Sequence, residues 1–171
     1  MSETLGPALP AELDRKAERL MKRLCELELK VASAESCTGG LFASLLTDIE
    51  GAGHGFDRGF VTYDELAKQE MLGLPPEMTG RNSAVTAAVA KAMAEGALEN
   101  SKADIALSVT GFAGPAGPDS EEGLVHFACA RRGQPPLARE EHFGAIGRGP
   151  VRIAALGVML EMLEEALDGP S

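Results

Sequence analysis

The sequence is poor in cysteine, histidine and positive charge, and each shortage excludes something. Its three cysteines, Cys25, Cys37 and Cys129, form an odd and scattered set. That suits a reducing cytoplasm better than a disulfide framework. Lysine and arginine number 16 against 26 acidic residues, which gives a formal net charge of −10. So acidic a chain repels phosphate backbones and anionic membrane surfaces, so neither a nucleic-acid nor a membrane partner is expected. No apolar run reaches the length of a membrane-spanning helix. The opening MSETLGPALPAELDRKAERL has no basic start followed by an apolar block, so it does not read as a secretion signal. H-E-x-x-H, C-x-x-C and a clustered carboxylate ladder are all missing, and neither a metal nor a cofactor is expected.

What is present suits an ordinary globular domain. The chain has 171 residues, 44% of them hydrophobic and 25% charged. Residues 1–9 read as a loose tail and 10–168 as one domain. Leu13, Ala17, Leu20, Leu24 and Leu27 recur at spacings of three and four, which predicts an amphipathic helix from Pro10 or Ala11. Val31–Ala34 reads as a buried strand, followed by a helix through Phe42, Leu45 and Leu46. Gly51–Gly55 is a loop and Gly59–Tyr63 a strand. Asp64 can cap a helix to Met71. Gly73–Arg81 reads as irregular. The next helix carries Val85, Val89, Ala92, Met93 and Gly96 on one face, with Ser83 or Thr86 as its cap. Strands are expected at Ile105–Thr110, Leu124–Ala130 and Ala138–Phe143. A final helix follows, with Pro150 near its start and Arg148 just before it. Alternating strands and helices argue for a three-layer α/β/α sandwich. Two consecutive late strands make its sheet of about five strands mixed rather than parallel.

Sites in such sheets form at the carboxyl ends of strands. Three segments leave a strand carrying reactive or phosphate-friendly residues: Glu35–Gly40, Tyr63–Lys68 and Thr110–Gly117. Ser36 falls between a strand and a helix, where unpaired helix amides would face a developing oxyanion or a phosphate. Gly39 and Gly40 would let a ligand approach the backbone closely. The alternative is that Ser36 or Thr38 simply caps the helix. His54, His126 and His142 offer no recognisable triad. Lys68 could serve as the base if burial and the helix dipole lower its pKa; otherwise it is a solvated helix lysine. Cys37 is the rival nucleophile, because a helix N-terminus activates a thiolate. Glu35 either contacts substrate or complements the helix dipole. The Gly111–Gly117 loop lacks the lysine and hydroxyl of a Walker loop, so nucleoside triphosphates are not expected.

Four stretches together resemble the C-terminal domain family of the competence/damage-inducible protein CinA. They are Ala34-Glu-Ser-Cys-Thr-Gly-Gly40, Gly59-Phe-Val-Thr-Tyr63 with Ala67-Lys68, Thr110-Gly-Phe-Ala-Gly-Pro115, and Glu121-Glu122 before Gly123. The resemblance covers roughly residues 10–167. It implies a mixed five-stranded α/β/α domain that deamidates nicotinamide mononucleotide to nicotinate mononucleotide and ammonia. It makes Ser36 the nucleophile, Lys68 its base and Tyr63 an auxiliary hydroxyl. Substrate contacts would come from Glu35, Cys37, Thr38, Gly39, Gly40, Thr110, Gly111, Ala113 and Gly114, with Arg148 on the phosphate. A homo-oligomer in the cytoplasm is the expected assembly. The chain departs from the family pattern at Ser83-Ala-Val-Thr86, in a Gly111–Gly123 loop shorter by two residues, and at Ile146-Gly147-Arg148. Those departures motivate the alternative of a non-catalytic nucleotide-binding or sensor module.

Overall fold

The computed structural model describes residues 8–80 and 84–169. Five helices and five strands follow the order α1 (Ala11–Glu26), β1 (Val31–Glu35), α2 (Leu41–Thr47), β2 (Phe56–Val61), α3 (Glu65–Leu72), α4 (Ala87–Glu99), β3 (Ile105–Gly111), β4 (Leu124–Arg131), β5 (Leu137–His142) and α5 (Arg148–Asp168). The strands form one sheet in the order β2-β1-β3-β4-β5. β1 pairs in parallel with β2 and β3, while β3–β4 and β4–β5 are antiparallel. The sheet is therefore mixed, as the consecutive late strands predict.

Side chains alternate across a strand, so each strand serves two faces. Val31, Ile105, Leu107, Val109, Val125 and Phe127 join the core under α1, α2 and α5. The opposite face carries smaller residues. Ala32, Ala34 and Ala106 pack with Val89 and Met93 of α4 and Leu72 of α3. Ala128 and Ala130 meet Ala90 and Ala94. Such small side chains let α4 lie close to the sheet, and Ser108 Oγ donates to the carbonyl of Ala90 at 2.6 Å. The three-layer α/β/α arrangement follows from these two faces.

Several boundaries differ from the sequence reading, each for a local reason. Leu9, assigned to the tail, is buried in the core beside α1; residues 1–7 lie outside the described residues. β2 runs Phe56–Val61 instead of Gly59–Tyr63, because its pairing with β1 starts at Val31↔Phe56 and ends at Glu35↔Val61. Thr62 and Tyr63 then leave the sheet toward α3. Thr86 caps α4, its hydroxyl accepting from the Val89 amide; Ser83 lies outside the described residues. Arg148 is the first residue of α5 instead of preceding it. Pro150 fits inside that first turn, where helix amides have no intrahelical partner to lose.

Candidate functional site

The carboxyl ends of β1, β2 and β3 open onto a cleft of about 900 Å³. Thr110, Gly111, Ala113 and Gly114 form one wall, and the start of α5 closes a side with Arg148. Ser36, Cys37, Tyr63 and Lys68 also line it, so nine of the thirteen residues singled out from the sequence come together there. A second hollow of about 580 Å³ lies at the far end of α3, between Leu74, Glu95 and Arg132, and holds none of those residues.

Ser36 is positioned by the turn that ends β1. Its amide donates to Val109 O on β3, and its carbonyl accepts from the Gly39 amide. Gly39 and Gly40 have φ of +62° and +94°, conformations that a residue with a Cβ rarely adopts. The chain thereby reverses into α2 within a few residues and leaves Ser36 facing the α4 side of the sheet.

Lys68 arrives from α3. Asp64 caps that helix by accepting from the Leu66 amide, which fixes the helix start one turn before the lysine. Lys68 is only 2% exposed. Its Nζ lies 3.2 Å from Ser36 Oγ and donates to the Thr62 carbonyl at 2.9 Å. Burial pushes its pKa below the usual lysine value, against the pull of Asp64 and Glu65. Cys37 would also favour the ammonium if ionised. Burial, however, pushes that thiol up to about 12, so it is uncharged at neutral pH and exerts no pull there. The same burial removes Cys37 as a rival nucleophile, because a thiol needs its thiolate to attack. Tyr63 borders the cleft with 67% of its surface exposed.

Four expected substrate contacts lie elsewhere. Glu35, Thr38, Gly39 and Gly40 do not line the cleft. Glu35 is fully buried on the α2 side of the sheet. Its carboxylate accepts from Thr38 Oγ1 at 2.7 Å, the Phe42 amide at 2.8 Å and the Ala43 amide at 3.0 Å. It complements the first turn of α2, where orphan amides and the helix dipole favour an anion. This corrects the expectation for Ser36 as well: those amides are held by Glu35 and are not offered to a ligand. Strand alternation explains the outcome, since adjacent Glu35 and Ser36 must point to opposite faces.

Arg148 is exposed and makes no ion pair among the described residues. Its guanidinium lies over Gly114, where an added Cβ would sit 2.5 Å from Nη2. The arginine and the glycine loop thus form one surface. Among the described residues no group of His, Cys, Asp or Glu could hold a metal ion. None of the three histidines lines the cleft. Burial lowers the pKa of His126, against the pull of Glu140. His142 is exposed between Glu121 and Glu140, whose hydrogen bonds raise its pKa.

Two further residues escaped the sequence reading. Arg152 Nε donates to the Cys37 carbonyl at 2.7 Å and braces the turn that carries Ser36. Its spacing of four from Arg148 puts both on one helix face, a signal the sequence does contain. Thr62 supplies the carbonyl that receives Lys68 Nζ. Backbone acceptors leave no mark in a sequence.

Along most of its length the chain is similar to known proteins of one family. A family model described as the CinA C-terminal domain matches residues 13–167. A nicotinamide-nucleotide amidohydrolase, PncC, of Escherichia coli K12 is 39% identical over 155 residues, covering 90% of this chain and 93% of that protein. A CinA-like protein of Akkermansia muciniphila is 53% identical over 112 residues, covering 64% of this chain and 27% of that protein. The chain spans about a quarter of the length of that and the similarly matched curated relatives. Among solved structures, the competence/damage-inducible protein CihA of Agrobacterium tumefaciens superposes with a TM-score of 0.89 at 42% identity, over 98% of this chain and 99% of that one. A CinA-superfamily protein of Escherichia coli superposes with a TM-score of 0.82 at 34% identity, over 89% and 88% of the two chains.

Proposed function

This chain belongs to the CinA C-terminal domain family, and from that premise we propose that it is an amidase that hydrolyses nicotinamide mononucleotide to nicotinate mononucleotide and ammonia. The observation that carries the reading is the buried Lys68 Nζ 3.2 Å from Ser36 Oγ at the wall of a cleft large enough for a mononucleotide. The name of the E. coli relative supplies the substrate class.

Neutral Lys68 takes the hydroxyl proton as Ser36 Oγ attacks the carboxamide carbon. The resulting ammonium returns that proton to the departing nitrogen, and ammonia leaves. Water then attacks the acyl-serine, with Lys68 again the base, and nicotinate mononucleotide is released. Because Glu35 holds the Phe42 and Ala43 amides and the Phe112 amide donates to Leu124 O, the oxyanion is left to the amides of Cys37, Ala113 and Gly114 at the cleft wall. Arg148 meets the phosphate at the cleft mouth. Tyr63 stands at the rim as an auxiliary hydroxyl. No step calls for a redox group or a metal.

Incubating the protein with nicotinamide mononucleotide in the presence of EDTA and measuring ammonia tests the reading. Release by the parent chain and none by Ser36→Ala is the expected result. Thermal stabilisation by the nucleotide with no more ammonia than the alanine variant would replace it with a binding module.

A further inference from the structure

Thr62 is fully buried, and its backbone is already committed. Its amide donates to Glu35 O at 2.8 Å, and its carbonyl accepts from Lys68 Nζ at 2.9 Å. The side-chain hydroxyl is different. Thr62 Oγ1 and His126 Nδ1 are the two buried side-chain polar atoms without a hydrogen-bond partner among the described residues. An unpaired buried hydroxyl costs stability, and valine would fill the same volume without that cost. A polar atom left idle beside a reactive lysine calls for a partner that exists in another state of the site.

Proton counting identifies that partner. A neutral lysine amine has two N–H bonds and one lone pair. In the resting site the lone pair can face the Ser36 hydroxyl, and one N–H goes to the Thr62 carbonyl. When the Ser36 O–H bond breaks and its proton moves to Nζ, the lysine has three N–H bonds. One remains on the Thr62 carbonyl. A second points to the reacting oxygen or the departing nitrogen. The third needs an acceptor on the buried side of a lysine that is 2% exposed. We propose that Thr62 is a positioning residue for Lys68, its hydroxyl accepting the third N–H of the ammonium formed during turnover. The hydroxyl belongs to the residue whose carbonyl already holds that lysine, and threonine χ1 has a small set of staggered wells through which it can turn.

The inference deepens the amidase reading and rests on Lys68 as its base. The surroundings leave the role to Thr62. The Asp64 carboxylate is taken by the Leu66 amide, Glu65 lines the open cleft, and Cys37 is neutral. The packed face of α4 presents Val89, Met93 and Ala97, which accept nothing. Tyr63, Asp119, Glu121 and Arg148 line the open cleft.

Thr62→Val and Thr62→Ser in the full chain decide the matter through three readouts. They are kcat against pH with nicotinamide mononucleotide, the titration of Lys68 followed by its ¹³Cε chemical shift, and the thermal midpoint. Thr62→Val should lose about tenfold in plateau kcat, as expected for one hydrogen bond to a charged group. KM should hold, the Lys68 titration should move to lower pH, and the thermal midpoint should not fall. Thr62→Ser should restore both the rate and the titration. Thr62→Ala repeats the measurement should the valine variant not fold. A Thr62→Val protein with the parent's kcat and Lys68 titration overturns the proposal. So does a loss of rate with an unmoved titration and a lowered midpoint, which would assign Thr62 to packing. If no form releases ammonia, the amidase reading alone fails, and the titration still decides Thr62.

Discussion

At Lys68 burial opposes the ammonium form while Asp64 and Glu65 favour it, and burial is the larger effect. The sign for catalysis follows directly. The base must be neutral, so activity rises with pH as Lys68 loses its proton. Because its pKa is lowered from the ordinary 10.5, the rise comes below that value. The kcat/KM profile should show this single rising limb, and Lys68→Arg should abolish turnover at every pH, since a guanidinium keeps its proton. Measurable turnover in Lys68→Arg would remove the lysine from the mechanism. Ser36 and Lys68 were legible as candidates from their places after strands. Which adjacent side chain turned into the cleft was legible only in part. The strand's alternation separates Glu35 from Ser36, but the burial that silences Cys37 comes from chain far away in sequence.

The elements that matter most for the site are α3 and α4. α3 is short and carries Lys68 near its start and Leu72 at its end. Its end is seated on α4 at Gly96, where an added Cβ would lie 2.2 Å from the Leu72 carbonyl oxygen. Gly96→Ala therefore sets two effects against each other. Alanine gains up to about 1 kcal/mol of helix propensity. Overpacking costs typically about 1–3 kcal/mol, and here the obstacle is backbone and cannot rotate away. A lower thermal midpoint is expected, together with reduced kcat as α3 shifts Lys68 from Ser36. An unchanged midpoint with full activity would show that α3 moves freely and that its seating does not set the lysine. Helical periodicity placed Gly96 on the buried face. That the neighbour there is a carbonyl, and not a side chain, depends on how two helices cross.

Taken as a whole molecule, the protein carries a charge of −10, and the substrate carries a phosphate. Long-range attraction cannot bring them together, and salt screens distant charges beyond about 8 Å. The balance must be reversed locally. Arg148 is free of ion pairs among the described residues and rests on Gly114 at the cleft wall, so its donors are available. Arg148→Ala should raise KM for the mononucleotide at least about tenfold, the loss of a charge-assisted contact worth about 1.5–3 kcal/mol. The corresponding riboside, which has no phosphate, should be almost unaffected. Equal losses on both substrates would show that Arg148 supports the fold or the chemistry and does not read the phosphate.

The sequence by itself determined the layers. Periodicities of two and of three to four residues fixed which segments are strands and helices, and the run of late strands fixed a mixed sheet. The stretch from Glu35 to Gly40 marked a strand end with glycines that must reverse the chain. These are local properties, because backbone conformation and side-chain alternation act between near neighbours. The tertiary structure alone decided what those residues touch. It gave Glu35 to the first turn of α2, drew the β2 boundary back to Val61, and set Arg148 on Gly114. It also brought Lys68 across 32 positions to Ser36. The physical reason is that a pKa, a shared surface or a proton path depends on burial and distance, and both are set by segments that meet only when the sheet closes.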